Sequence, residues 1–558
     1  MPAIRDRALK KNLDHRKQTM QAEFEHWKGH FRELRDAIQP ARGRFDDGER
    51  RADSSINKRI LDSTAQVAMR VLQSGLMAGI TSPSRPWFRL GLHGRATDDL
   101  DFAAKEWLHE VQVRMYEILR GSNIYRMLNA TYGDLALYGT AANAVMPDFE
   151  DVVRGHHFQT GRYLLGEDGN GRVTGLYREV PMTIRGIVET WGEDRVSREV
   201  KKLWDSGDYY KSKTICHMID KRSDGDPASL NPGNRPWSAV YWEKDADAEF
   251  LQVGGHRSRP LLTPRWEQVE GEAWSQSSPG MLALGDALQL QVLQREKAIA
   301  IQKMHNPPLI GGPIQGAGSA FRNVPGGFTA MSVTDLNTGG IRPAYEVRPD
   351  IQGLLLDIGE TQRRIDIAFY RDLFQMAAMS LDGRSQITAR EIAERHEEKL
   401  MSLGPVLESL DHELLQPLIE ALFGMMQEAD ILPEAPESIT GEGVRVDYIS
   451  LLAQAQKAIG VGAIERTIGF AGTLAQLKPG VLDMLDEEEM MREFADQVGG
   501  PPGILRSPDE LQQTREANAR AAAQEQAMAA AEPMAGAAKL LSEANLNGID
   551  ALQRGQAL

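Results

Sequence analysis

The chain has 558 residues, 41% of them hydrophobic and 26% charged, which is the composition of a globular protein long enough for several domains and not that of a disordered or fibrous chain. A net charge of −15 speaks against a protein that coats DNA through a basic stripe, though not against one that DNA slides past. The single cysteine, Cys216, excludes an intrachain disulfide and a cysteine-based metal cluster, and no stretch reaches the ~18 uncharged apolar residues that cross a bilayer, so membrane insertion is not expected.

The N-terminal basic residues (Arg5, Arg7, Lys10, Lys11) lead into no apolar core, so a secretory signal is not expected. Residues 1–45 read as mostly helical, with Met20, Phe24, Trp27 and Phe31 at intervals of three and four making one apolar face. Residues 45–56 read as a polar loop and 57–80 as a helix carrying Ile60, Ala68, Val71, Leu72, Leu76 and Met77. The prolines of Thr81-Ser-Pro-Ser-Arg-Pro86 stop it, and Trp87–Leu90 looks extended. Two further helices are expected at 98–121 and 124–146. From His157 to about Arg265 short apolar runs alternate with Gly, Asp, Asn and Pro, and Glu167-Asp-Gly-Asn-Gly171 is a hairpin signal. The first half is thus expected to be helices followed by an antiparallel sheet.

A helix is expected from about Met281 to His305, where 25 residues would span about 37 Å. It is bracketed by Ser278-Pro-Gly-Met281 and Asn306-Pro-Pro308. A second, at 350–375, carries Ile351, Leu355, Ile358, Ile365 and Phe369 on one seam and charge elsewhere. Between them lie about forty Gly/Pro-rich residues with three short strand-like runs, too little to bury a core alone. Residues 376–387 read as a loop with an Asp382-Gly383 turn. Thr388 and Glu391 form a capping box, and the helix beyond should kink at Gly404-Pro405. The last 130 residues read as helical, acidic at Asp486–Glu489 and broken at Gly499–Gly503.

Catalytic motifs are sparse. No G-x-x-x-x-G-K-[ST] loop or G-x-S-x-G elbow occurs, and Gly311–Gly318 has the glycines of a phosphate loop without its lysine. His26 and His30 share a helix face but lack the glutamate of a zinc protease, and His156-His157 is expected in a surface loop without a ligand partner. No carboxylate pair suggests two-metal nuclease chemistry. No cofactor is expected.

Several segments resemble the head-to-tail connector (portal) proteins of podovirus-type, short-tailed bacteriophages. They are Ser74-Gly-Leu-Met-Ala-Gly-Ile-Thr-Ser-Pro-Ser-Arg-Pro-Trp-Phe-Arg-Leu90, Tyr138-Gly-Thr-Ala-Ala142, Ser278-Pro-Gly-Met281, Asn306-Pro-Pro-Leu309 and Ile387-Thr-Ala-Arg-Glu-Ile392. The likeness covers roughly 10–430.

The resemblance implies an α+β, predominantly helical portal fold. Its parts would be wing (1–280), first stem helix (281–305), clip (306–349), second stem helix (350–375), tunnel loop (376–387), a long kinked wing helix (388–427), crown (428–500) and a C-terminal helical or disordered tail (501–558). It implies a homododecameric ring at one capsid vertex of the virion, assembled in the host cytoplasm and nucleating the shell. Its partners would be the terminase large subunit, tail adaptor and nozzle proteins, major capsid and scaffolding proteins, and double-stranded DNA passing through. Met379, Ser380, Asp382, Arg384 and Ser385 would face DNA, with Arg384 the cation nearest phosphate. Arg363, Arg364 and Arg371 would line the channel, or else pair between adjacent stems with Asp357, Glu360, Asp366 or Asp372. Arg322, Phe328, Arg342 and Tyr345 would meet clip partners. The alternatives are another virion ring or adaptor protein and a DNA-processing enzyme.

Overall fold

The computed structural model describes residues 4–46, 60–92, 100–305, 309–310, 342–343, 350–374, 403–439, 444–448, 490–491, 511, 513–521 and 523. The chain divides into two units, one of residues 1–91, 110–434 and 444–455, the other of 92–109, 435–443 and 456–558. In the second unit the Ser438 hydroxyl, on a 3-10 turn at Glu437–Ile439, donates to Asp101.

The first unit opens with a short strand β1 (Ile4–Arg5) and helix α1 (Arg7–Ala37), whose start is capped by the Asp6 carboxylate accepting from the Ala8 and Leu9 amides at 2.9 Å. Helix α2 (Thr64–Ile80), strand β2 (Phe88–Leu92), α3 (Phe102–Gly121) and α4 (Ile124–Tyr138) follow. The Tyr116 hydroxyl accepts from the Trp87 and Phe88 amides and donates to the Phe88 carbonyl, all at 2.8 Å, and so fixes the extended segment after the proline turn.

The expected helix over 124–146 stops early. Gly139 takes a left-handed φ of +73° and caps α4, because a Cβ there would lie 2.5 Å from the Ser277 carbonyl oxygen. The chain then turns into strand β3 (Ala142–Asp148), which pairs antiparallel with β4 (Val152–Phe158) and with β10 (Leu261–Leu262). His156 and His157 therefore sit on a paired strand, not in a loop.

A six-stranded antiparallel sheet occupies the centre, in the order β1-β9-β8-β7-β6-β5. Its strands are β5 (Tyr163–Glu167), β6 (Val173–Thr183), β7 (Ser212–Lys221), β8 (Trp237–Glu243) and β9 (Glu249–His256), with α5 (Ile184–Trp191) and α6 (Arg198–Asp205) inserted after β6. Alternation along the strands sends Tyr177, Cys216, Met218, Val240, Trp242 and Phe250 to one face, against Leu13 and Met20 of α1. Ile215 and Leu251 go to the other face, against Ile184, Ile187 and Val200 of α5 and α6. Further along α1, Phe24 and Phe31 join Tyr138, Tyr163 and Trp274 in an aromatic cluster with ring centroids 5.2–5.5 Å apart between touching pairs.

The long helix α7 (Pro279–His305) leaves this body and packs along α8 (Ile351–Ala368), with β11 (Leu309–Ile310) and β12 (Arg342–Pro343) paired between them in sequence. The periodic run read from 350 to 375 breaks at Phe369. Tyr370 is held at φ +53°, and the chain is helical again only at 371–374. Next come α9 (Gly404–Leu410), a π-turn (Asp411–Leu415) and α10 (Gln416–Glu428). The helix expected to lead into the Gly404-Pro405 bend lies outside the described residues. Those two residues are the first of α9, where a proline is tolerated, and the π-turn is a further irregularity six residues on. The capping box at Thr388 lies outside the described residues. Strand β13 (Val444–Tyr448) pairs with β2.

Candidate functional site

The two helices α7 and α8 form the most distinctive surface of the first unit. Helix α7 begins where the Ser278 hydroxyl accepts from the Met281 amide at 3.0 Å and donates to the Leu137 carbonyl at 2.9 Å. Gly280 lets the helix lie against α4, since a Cβ there would meet the Leu137 oxygen at 2.5 Å. The Ser-Pro-Gly-Met motif is thus a cap and a close-packing point in four residues.

One face of α7 is buried through Ala283, Leu284, Ala287 and Leu290. The opposite face is not polar. Leu288, Val292 and Ile299 recur at helical spacing and stand 40–51% exposed, with Arg295 and Glu296 exposed among them. On α8, Ile358, Thr361 and Ile365 are buried, while Leu355, Leu356 and Ile367 are exposed. A helix apolar on all sides is expected to be covered on all sides.

The pair is locked about midway along α7 by one carboxylate. Asp62 Oδ2 accepts from the Gln294 side chain of α7 and from the Gln362 side chain of α8, both at 2.8 Å. Its Oδ1 accepts from the Thr64 amide at 2.9 Å and hydroxyl at 2.6 Å. Gln291 completes the clasp, its Oε1 accepting from the Leu61 and Asp62 amides and its Nε2 donating to the Asp62 carbonyl. Burial alone would raise the Asp62 pKa, but the hydrogen bonds from Thr64, Gln362 and Gln294 more than offset it and hold the carboxyl below its ordinary range. Nearer the start of α7, Arg364 Nε donates to Asp286 Oδ1 at 2.9 Å, an ion pair between the two helices.

Of the residues singled out in the sequence, Arg364 is turned toward Asp286, and Arg371 is held by Asp366 at 2.9 Å within the same chain. Arg363 is exposed and has no carboxylate partner among the described residues. Arg342 lies on β12 opposite Ile310. Met379, Ser380, Asp382, Arg384, Ser385, Arg322, Phe328 and Tyr345 lie outside the described residues.

Two polar centres brace the body behind this surface. Asp134, fully buried on α4, accepts from Arg42 Nη1 at 2.6 Å and faces His157 Nε2 at 3.2 Å. Burial would raise its pKa, and His157 and Arg42 together hold it below the usual carboxylate range. Arg265, 1% exposed, is bound by Glu413 of the π-turn and by the Gly171 and Glu272 carbonyls.

The family described as bacteriophage head to tail connecting protein matches residues 10–505. The chain is 42% identical over 487 residues to a "Probable portal protein" of Bordetella phage BPP-1, covering 87% of each. It is 38% identical over 531 residues to the "Portal protein" of Salmonella phage epsilon15, covering 94% of each. The chain belongs to the bacteriophage head-to-tail connecting protein family. As a connector protein it is a structural component of the virion at the head–tail junction. Among solved structures, a chain of the virion of a native gene transfer agent particle aligns over 81% of this connector and 99% of its own length, at 12% identity and a TM-score of 0.38. A likeness that slight adds nothing to the family assignment.

Sequence reasoning missed the connector's clasp. Asp62 lies 229 residues or more from each of its glutamine partners, and neither Asp nor Gln carries a periodic or motif signal. It missed Glu413 for the same reason, 148 residues from Arg265. The ring contacts of Phe31 were foreshadowed by its place on the apolar face of α1.

Proposed function

We propose that this connector chain is a phage portal subunit, twelve copies of which ring one capsid vertex and carry DNA in during packaging and out during ejection. Helices α7 and α8 are read as the stem, residues 306–349 as the clip, 376–387 as the tunnel loop, the preceding body as the wing and the last part as crown and tail. In this reading the clip meets terminase and later the tail adaptor and nozzle proteins, and the wing and crown meet capsid and scaffolding proteins during assembly in the host cytoplasm. No catalysis is assigned to the chain, because a ring subunit needs only surfaces that repeat and a channel that does not bind DNA tightly.

The observation that carries the reading is the α7–α8 pair. Its outer strip of Leu288, Val292, Ile299, Leu355, Leu356 and Ile367 lies exposed in one chain and would be covered by the flanking pairs in a ring. The net charge of −15 fits the channel role, since a strongly cationic lumen would hold the polymer in place.

Mass and symmetry test it. Light scattering of the purified chain should give about 740 kDa, twelve copies of 61.9 kDa, and negative-stain averages should show a central hole. A species that stays at 61.9 kDa at high concentration would overturn the ring.

A further inference from the structure

Phe149 is the most exposed large apolar side chain among the described residues, fully open to solvent at the tip of the β3–β4 hairpin. The tip is not loose. The Asp148 carboxylate accepts from the Glu150 and Asp151 amides at 2.9 and 3.1 Å, and Arg154 Nε reaches the same carboxylate at 2.9 Å. Val152, a β-branched residue, is held at φ +66°, a conformation that costs energy and persists only where surroundings enforce it. The hairpin thus holds the Phe149 backbone in place and presents its open ring beside the carboxylates of Glu150 and of Asp151, which Arg154 approaches at 3.8 Å.

A cleft of complementary character lies at the N-terminal end of α1. It is a shallow, open groove of about 440 Å³ lined by Arg7, Lys10, Lys11 and His15, against Asp14 and Asp247. Asp14 is engaged by Lys10 at 2.5 Å, while Asp247 approaches Arg7 only to 3.9 Å. Lys11 is exposed and has no carboxylate partner among the described residues. The long aliphatic stems of the lysines offer apolar surface, and their ammonium groups suit both an aromatic face and an acidic rim.

The topology keeps the two features apart within one chain. The tip half of the β3–β4 hairpin, at Val145 and Pro147, lines a cavity with Pro227, Arg235 and His256, at the end of the central sheet where β7 leaves and β8 begins. The cleft contains Asp247 and Ala248, on the β8–β9 turn at the opposite end of the same strands. A knob at one end and a socket at the other is the layout of a heterologous contact, the kind that builds a ring where the rotation between copies closes.

We propose that Phe149 of one copy docks into the basic cleft at the start of α1 of the neighbouring copy, with Glu150 and Asp151 against Arg7 and Lys11. This rests on the ring reading above and adds a second inter-subunit contact, away from α7 and α8. The contact is tested by disulfide trapping, since the native Cys216 is buried. The pair Phe149→Cys and Gln18→Cys, which places the second thiol on the cleft wall, should on mild oxidation of the assembled protein give a ladder of linked species beyond dimer on a non-reducing gel. Each single variant should give no ladder. Lys11→Glu alone should raise the concentration at which rings form by about tenfold, and adding Glu150→Lys should restore it. Circular dichroism controls for folding, which an exposed tip and an exposed lysine should leave unchanged. Wild-type rings with no ladder in the double-cysteine variant, or no effect of Lys11→Glu, would overturn the contact and leave the ring standing. A wild-type chain that never assembles would overturn both.

Discussion

Arg265 and Glu413 form a buried ion pair that ties the loop after β10 to the π-turn between α9 and α10. The guanidinium meets Glu413 Oε1 at 2.5 Å through Nη2 and at 3.1 Å through Nε, and the Arg265 amide donates to Glu413 Oε2 at 2.9 Å. Ser409 adds a hydroxyl to the Arg265 carbonyl at 2.7 Å. Three bonds to one carboxylate explain why the helix is locally under-wound there, with one extra residue in the turn: the extra residue aims Glu413 inward. Glu413→Ala would leave a buried guanidinium with two carbonyl acceptors and, among the described residues, Glu167 at 3.8 Å as its one remaining carboxylate, and should cost about 3–5 kcal/mol of stability. Replacing both partners, Arg265→Met with Glu413→Leu, should recover most of that loss. Thermal unfolding of the three variants checks both statements.

Gly280 should tolerate no side chain. Its missing Cβ faces the Leu137 oxygen, the Leu137 Cα and the Ala136 oxygen at 2.5, 3.0 and 3.1 Å, all backbone atoms that cannot rotate away. Gly280→Ala should push α7 off α4 and cost about 1–3 kcal/mol. Ser278→Ala removes a cap and a bond to Leu137, and should cost about 1 kcal/mol. Both are read from the unfolding midpoint.

These cases show what was legible in the sequence. Helix α7 could be read because local signals bracket it: a Ser-Pro-Gly start, an apolar run and an Asn-Pro-Pro stop. The end of α4 could have been read, since Gly139 is a C-cap signal, but the alanines that follow continue a helical composition into what is strand β3. There the pairing with β4 and β10 outweighs propensity. The break at Tyr370 and the π-turn carry no local signal, because tertiary contacts fix both. The Asp62 clasp is still less visible, because the three glutamines that bind it look like ordinary polar positions until the helices are side by side.

Asp62→Ala should loosen the helix pair midway along α7. Two glutamine amides and the Thr64 amide and hydroxyl lose a charged acceptor, so a loss of roughly 2 kcal/mol is expected. Hydrogen exchange should rise in α7 and α8 and not in the central sheet.

Acid should destabilise the body in two windows. His256 is pulled down to about 4 by burial and by the nearby Arg235, and burial with Arg178 pulls His217 well below its ordinary value. Each is neutral when folded and takes up a proton more readily when unfolded, so their contribution is present above about pH 6.5 and falls away below it, for His256 down to about pH 4. For His256 alone the loss is at most about 3 kcal/mol. Glu179 behaves as a depressed carboxylate. Burial would raise it, but Lys244, Lys17 and Tyr177 bring it to about 2, so its contribution is full above the ordinary glutamate value and is lost between there and pH 2. Stability against pH should therefore fall from pH 6.5 to 4 and again below pH 4. His256→Asn should shrink the first limb, leaving the part due to His217, and Glu179→Gln should flatten the second. A single transition unaffected by either variant would contradict the assignment.

The three arginines of the second helix and its extension should separate by their partners. Arg364→Ala removes a half-exposed ion pair to Asp286 and should cost about 0.2–1 kcal/mol, a small fall in the unfolding midpoint. Arg371→Ala should behave similarly through Asp366. Arg363 has nothing to lose within the described part of one chain, so Arg363→Ala should leave stability unchanged. If its side chain faces the channel of the proposed ring, its loss should show in DNA retention, measured as the amount of DNA held by packaged particles. Arg384→Ala, in the proposed tunnel loop, should likewise preserve ring assembly while altering retention or packaging. An Arg363→Ala variant that assembles and retains DNA as the wild type does would move that residue off the channel face. An Arg384→Ala variant that fails to form rings would make residues 376–387 part of the assembly interface and not a loop that follows DNA.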